Sequence, residues 1–220
     1  MITDQAFVLH TLTYQNSSQI VRLLCRQHGR IDAIAKGSRG SKSPFKGHLQ
    51  PFIETAICCQ GKRDLKTLTR AEQSAVIGSL NYLNQVAMLY CNELLLLLNM
   101  DEEMAIRVYP VYRDLLTALA KNQSVALLLR YFELQLCELS GYALTVDPDM
   151  ADEAILVFQP DQGLVGSHGH QNCDAGTFRR FSRYETITDE EQRGLNRLFR
   201  SVVHHLVGGR RIRSRELLRR

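Results

Sequence analysis

Apolar and polar side chains alternate in "QIVRLLCR", residues 19–26, where Val21, Leu23 and Cys25 fall on one face and Arg22 and Arg26 share the other with Ile20 and Leu24. "RIDAIAK", residues 30–36, repeats the pattern, with Ile31, Ala33 and Ala35 opposite Arg30, Asp32, Ile34 and Lys36. His28-Gly29 between them suits a tight hairpin turn. Further strand-length runs at 6–12, 52–59 and 64–70 make five within the first 75 residues. Five short strands are better served by a small barrel, which closes its own edges, than by an open sheet.

After about residue 80 the period becomes that of helices. Residues 82–100 are apolar almost all round, as in a central helix, and Asn92 and Glu93 are the polar breaks in its longest apolar run. Residues 105–120 set Val108, Val111, Leu115 and Leu119 on one stripe. Residues 124–140 begin at a capping Ser124 and stop at Gly141. In the turn-rich stretch that follows, 155–158 and 163–165 flank Pro160-Asp161 as a short hairpin. The last helix starts at the capping box Thr188/Glu191, carries Leu195, Leu198, Phe199, Val202 and Leu206 inward, and ends at Gly208-Gly209.

Composition sharpens this picture in three places. With 220 residues, 45% apolar and 23% charged, the chain has enough material for one large or two small globular domains, and no apolar run reaches the length of a membrane span. The opening Met1-Ile2-Thr3-Asp4 lacks a basic region followed by an apolar core, so a cytoplasmic location is expected. Six scattered cysteines without a C-x-x-C pair read as reduced, mostly buried thiols. Charge is the third and most informative feature. Residues 1–80 hold eleven Lys/Arg against five Asp/Glu, residues 81–209 ten against seventeen, and residues 210–220 six against one. A basic front, an acidic middle and a basic tail suit a polyanion-binding domain joined to a module with another task.

The front carries its cations in "AKGSRGSKSPFKGHLQPF". The glycines at 37 and 40 have no Gly-Lys pair after them, so the stretch lacks the spacing of a phosphate-cradling loop of nucleotide hydrolases. Lys36, Arg39, Lys42 and Lys46 recur every three or four residues instead, and Lys62, Arg63, Lys66 and Arg70 form a second group on and before the fifth strand; Arg22 joins them from the polar face of the second. Basic grooves that follow phosphates, with aromatic faces that stack bases, hold single-stranded nucleic acid. Phe45 offers such a face among the cations, while Phe52 is expected in the core. The plainer alternative is a solvated loop whose phenylalanines serve packing.

Other chemistry is thin. His168, His170 and Cys173 form one metal-ligand cluster, whereas structural zinc sites draw two close pairs from separate segments. There is no G-x-S-x-G and no H-E-x-x-H, and the three consecutive acids Asp101, Glu102 and Glu103 diverge on a helix start that favours negative charge. Arg130, amid apolar positions of "LLLRYFELQLCELSGY", has two readings: an ion pair with Glu133 one turn on, or a grip for the terminal carboxylate of a hydrophobic peptide.

"AKGxR…KGxLQPF" followed by "KTLxxAE", together with "CNELLLLL", "LRYFELQLCELSGYAL" and the terminal "RSRELLRR", resembles the bacterial recombination mediator family RecO over nearly the whole chain, apart from residues 145–185. The resemblance implies an α+β protein: a five-stranded OB-fold barrel over residues 1–80, then a mostly α-helical domain over 81–220 with an irregular insertion at about 143–186. It implies a non-enzymatic role in the RecF pathway, without cofactor: binding ssDNA and dsDNA, annealing complementary strands, and helping RecR load RecA onto DNA coated by single-stranded-DNA-binding protein (SSB). The SSB tail docks on the helical domain of RecO proteins, and Arg130 matches the family's tail-binding arginine. Many members carry a four-cysteine zinc site where this chain has "TVDPDMADEA" and then only His168, His170 and Cys173, so no metal is expected here. Two rivals remain open at the level of sequence: an RNA-binding OB-fold protein, and a metal-dependent nuclease using the His168 cluster.

Overall fold

The computed structural model describes residues 1–73, 81–121, 124–167 and 173–219, the side chains of 218 and 219 excepted. The chain divides into two compact units, Met1–Gln123 with Ile212–Arg220, and Ser124–Arg211.

In the first unit, β1 (Ile2–Tyr14), β2 (Ser18–Cys25), β3 (Gly29–Ala35), β4 (Glu54–Gln60) and β5 (Lys66–Gln73) form a closed barrel in the order β1-β2-β3-β5-β4. β3 and β5 run parallel, the other neighbours antiparallel, and β4 returns to β1. This is the five-stranded OB-fold barrel. The alternation read from sequence sets its interior: Val21, Leu23 and Cys25 of β2 and Ile31, Ala33 and Ala35 of β3, with Val21 beside Ala33 and Leu23 beside Ile31, all join the barrel core. Leu24, on the nominally polar face, is equally buried. The reason is tertiary: α1 (Tyr82–Leu97) packs outside β1, and α2 (Glu102–Ala120) outside β2 and β3. Phe7 of β1 meets the rings of Tyr109 and Tyr112, each with centroids 5.2 Å away.

The polar breaks in α1 have partners in this unit. β1 bulges between Val8 and His10, so Leu9 has no partner in the register with β2. Its carbonyl accepts a hydrogen bond from Asn92 Nδ2 at 3.0 Å, and Asn92 Oδ1 in turn accepts one from the buried Tyr112 hydroxyl. Glu93 accepts from the backbone N–H groups of Arg213 and Ser214 and from the Ser214 hydroxyl, and so caps the terminal 3₁₀ turn Ser214–Arg219. The change of period near residue 80 is thus a change of element type, and α1 and α2 belong with the barrel.

The second unit contains α3 (Val125–Leu139), the hairpin β6 (Ile155–Gln159) and β7 (Gly163–Ser167), α4 (Ala175–Ser182) and α5 (Asp189–Leu206). Ser124 precedes α3 without a side-chain capping bond, contrary to expectation, whereas the Thr188/Glu191 box caps α5 reciprocally. Gly141 ends α3 with φ +83°, letting Tyr142 N–H return to the Cys137 carbonyl at 2.8 Å. The stretch expected to be irregular packs into the core of this unit through Leu144, Leu156, Leu164, Phe178 and Phe181. α4, too short to show a helical period, is capped by Asp174, whose side chain accepts from Thr177 N–H. Among the described residues no helix is long and apolar enough to cross a membrane.

Candidate nucleic-acid interface

Between β3 and β4 the chain runs through residues 36–53 without regular structure, yet it is held in place. Successive tight turns, Gly40 N–H to Gly37 O and Ser43 N–H to Gly40 O, both at 3.1 Å, shape its first half. Arg39 N–H donates to Ser17 O at 2.9 Å and the Ser38 hydroxyl to Gln19 Oε1 at 3.2 Å, which fasten the loop to the β1–β2 turn and β2. Phe45 then plugs the barrel, 6% exposed. The expectation that Phe45 offers a stacking face is therefore corrected: its ring anchors the loop, because the interior of a barrel this small is filled by side chains and takes this one into its core. Phe52 is half-buried with φ +70°.

The anchoring leaves the four cations outside. Lys36, Arg39, Lys42 and Lys46 are all exposed, and none has an ion-pair partner among the described residues. The second group is less uniform. Lys62 and Arg63 are exposed in the turn before β5, and Lys66 Nζ donates to Arg63 O at 2.7 Å. Arg70 is held by Glu72 through two bonds of 2.9 Å, and Arg22 lies 3.6 Å from Asp32, its cross-strand partner. Their charges are largely answered. The register sets Lys66 beside Ala33 and Leu68 beside Ala35, so the β3–β4 loop departs alongside the middle of β5. Lys62 and Arg63 lie in the turn before that strand begins.

Two features of this face escaped the sequence. Tyr14, at the end of β1, is half-buried and opposite Ser18 in the register, next to Ser17, whose carbonyl holds Arg39 N–H. It closes β1 at the turn that holds the loop, and its signal in the sequence is an aromatic residue ending an alternating strand before Gln15, whose φ is +52°. Leu12, Ile20 and Ile34 form a partly exposed apolar row across β1, β2 and β3, next to the row of His10, Arg22 and Asp32. The face of the second and third strands is where OB-folds hold oligonucleotides.

In the second unit Arg130 is 9% exposed, and its Nη2 meets Glu133 Oε1 at 2.6 Å, with the Glu133 side chain fully buried. Its guanidinium carbon sits 5.6 Å from the centre of the Phe199 ring, and its Nε has no hydrogen-bond partner among the described residues. His168 and His170 lie outside the described residues. Cys173 is buried, its Sγ 3.1 Å from the Asp174 carbonyl, and burial with Asp174 and Glu191 nearby pushes its thiol up to about 12. Burial acts likewise on Cys59, to about 11, and on Cys137, to about 12. Burial thus favours the protonated, less nucleophilic form of these thiols. Among the described residues no group of three His, Cys, Asp or Glu side chains is arranged to hold a metal ion.

A closed five-stranded barrel with a cation-rich, anchored loop, followed by helices, defines an OB-fold protein with a helical C-terminal region. Comparison with known families makes this specific: residues 1–77 match the family described as "Recombination protein O N terminal" and residues 80–216 "Recombination protein O C terminal". The chain belongs to the RecO family of DNA repair and recombination proteins. Similar proteins include the DNA repair protein RecO of Methylococcus capsulatus, 30% identical over 231 residues that cover 100% of this chain and 93% of that protein. The DNA repair protein RecO of Coxiella burnetii is 33% identical, over 98% of this chain and 96% of its own length. That of Halorhodospira halophila is 32% identical, over 97% and 95%.

Proposed function

We propose that this protein binds ssDNA and dsDNA through the barrel, anneals complementary strands, and acts with RecR to load RecA onto SSB-coated DNA. The observation that carries this is the β3–β4 loop: four exposed cations without ion-pair partners among the described residues, on a backbone fastened to β2 and plugged into the barrel by Phe45. An anchored loop presents its charges without having to order on binding, so phosphate neutralisation is not offset by a large loss of chain entropy. Tyr14 supplies a stacking ring and Leu12, Ile20 and Ile34 an apolar bed for bases, a stack contributing about 1 to 3 kcal/mol. Arg70 and Arg22, already engaged by Glu72 and Asp32, act less as phosphate contacts than the loop cations do.

The chemistry is charge neutralisation rather than bond making. Two strands repel through their phosphates, and a basic surface that displaces their counterions lowers that repulsion with no cofactor. Recruitment of SSB through its acidic tail belongs to the helical unit and Arg130, and the protein works in the cytoplasm, on the nucleoid.

Reversing Lys42 and Lys46 to Glu tests this. Affinity for a labelled oligonucleotide is expected to fall at least tenfold, and the slope of log affinity against log salt to become shallower by about 1.4, the share of two phosphate contacts on a single strand. An unchanged affinity and slope would remove the loop from the interface. A matched RNA strand in the same titration separates a DNA-directed protein from an RNA-binding one.

A further inference from the structure

The second unit carries a basic feature of its own, on α5. From Arg193 to the end of the unit at Arg211 the chain has five arginines and no Asp or Glu, although the middle of the protein is acidic. Arg193, Arg197, Arg200 and His204 are all exposed. At about 100° per residue they fall within an arc of about 60°, and at 1.5 Å per residue they run for about 16 Å along the helix. The buried face, Leu195, Leu198, Phe199 and Val202, lies on the opposite side, so the stripe is the centre of the solvent face.

An ordinary amphipathic helix answers its surface arginines with acids one turn away. Here Asp189 and Glu190 are available one turn before Arg193, yet Arg193 and Arg200 have no ion-pair partner among the described residues. Glu191, the third acid of that turn, is committed to Arg180 and to the Thr188 backbone. Downstream of Arg193 the helix has no acid at all. The neighbouring arginines behave differently: Arg179 is consumed by Asp152 and by the carbonyls of Asp147 and Met150. Arginine is also the residue whose planar fork matches phosphate oxygens in pairs.

We propose that the solvent face of α5, through Arg193, Arg197, Arg200 and His204, is a second docking site for a nucleic-acid backbone. It carries one sign of charge, in a straight line long enough for several consecutive phosphates, and its exposed centre is made of polar, cationic side chains rather than the apolar anchors a peptide groove uses. The inference rests on the annealing function proposed above, and gives it a physical basis: a protein that anneals strands gains from holding each on its own surface, one on the barrel loop and one on α5.

The test uses the full chain and the triple variants R193A/R197A/R200A and R193K/R197K/R200K. All three positions are exposed and helical, and alanine and lysine are good helix formers, so both variants keep the fold. The wild type is expected to take up two short single strands at saturation. The alanine variant should take up one, keep its affinity for that first strand within about twofold, and anneal complementary strands about tenfold more slowly, while the salt slope of the second step disappears with that step. The lysine variant should anneal within about threefold of wild type, since it keeps the charge. Wild-type stoichiometry and annealing rate in the alanine variant would overturn the proposal, as would a lysine variant that falls as far as the alanine one. The K42E/K46E variant separates the two sites: if it binds the first strand normally while the α5 variant loses all binding, the barrel reading fails and the α5 site stands alone.

Discussion

Arg130 has two partners within its unit, the buried carboxylate of Glu133 and the face of Phe199. A buried pair is costly to break from one side, because the remaining charge keeps its desolvation cost without its counter-ion. We therefore expect R130A to lower stability by roughly 3 to 5 kcal/mol, seen as a lower urea midpoint. It is also expected to weaken binding of an acidic SSB tail peptide while naked-DNA affinity stays unchanged. The two effects are separable with R130K, which restores much of the pair but not the forked grip on a carboxylate; tail affinity that is equal in the wild type and both variants would confine Arg130 to packing. At this scale the sequence made the ion pair of Arg130 legible, since an arginine three residues before a glutamate on a helix makes it geometrically available. It could not say that Glu133 is fully buried, because burial depends on what α5 places over α3. Phe45 shows the same gap. A phenylalanine between lysines reads as a stacking ring until the barrel interior is seen to take it.

The strands were legible because a period of two survives in a chain with one face in a barrel, and the inward positions of β2 and β3 follow from alternation alone. The helices α1, α2, α3 and α5 were legible through their period and ends, and the hairpin β6–β7 through its Pro160-Asp161 turn. α4 was not: eight residues of "AGTFRRFS" cover about two turns, too few for a period to stand out. Gly29 illustrates what an element boundary requires. It turns β2 into β3 with φ +62°, and a Cβ there would lie 3.0 Å from the Glu102 carbonyl oxygen at the start of α2. Both the left-handed backbone and the close approach exclude a side chain. Replacement by alanine is expected to cost about 1 to 3 kcal/mol in a denaturant titration, whereas alanine at Gly40, whose φ is not positive and whose nearest neighbour is Gly37 O at 3.3 Å, should cost less than 1 kcal/mol.

Across the whole chain, the C-terminal segment from Ile212 returns to the first unit after the second has been built, and Glu93 fastens it there. Burial alone would raise the Glu93 carboxyl, but hydrogen bonds from the Ser214 hydroxyl and from the Ser214 and Arg213 amides outweigh it and hold it below the usual glutamate value. A lowered folded-state pKa adds stability above the ordinary glutamate value of about 4.3 and loses it as pH falls through the lowered value. The clasp is therefore expected to stay closed at neutral pH and open only in acid. E93Q should speed hydrogen exchange at the amides of Arg213 and Ser214 several-fold at pH 7 and remove the acid dependence; exchange as slow as in the wild type would show that Ile212 burial alone holds the tail. By itself the sequence determined the succession of strands and of every helix but α4, the basic front and tail, and the family, because periodicity, charge and motif spacing are local properties of the chain. The purpose of Asn92 and Glu93 inside an apolar helix, the pairing of Arg22 with Asp32 on the next strand, and the burial of Phe45 and Arg130 were decided only by the tertiary structure. Each of these depends on which distant group arrives at hydrogen-bond or van der Waals distance, and that is set by closing the barrel and packing the helices, not by neighbours along the chain.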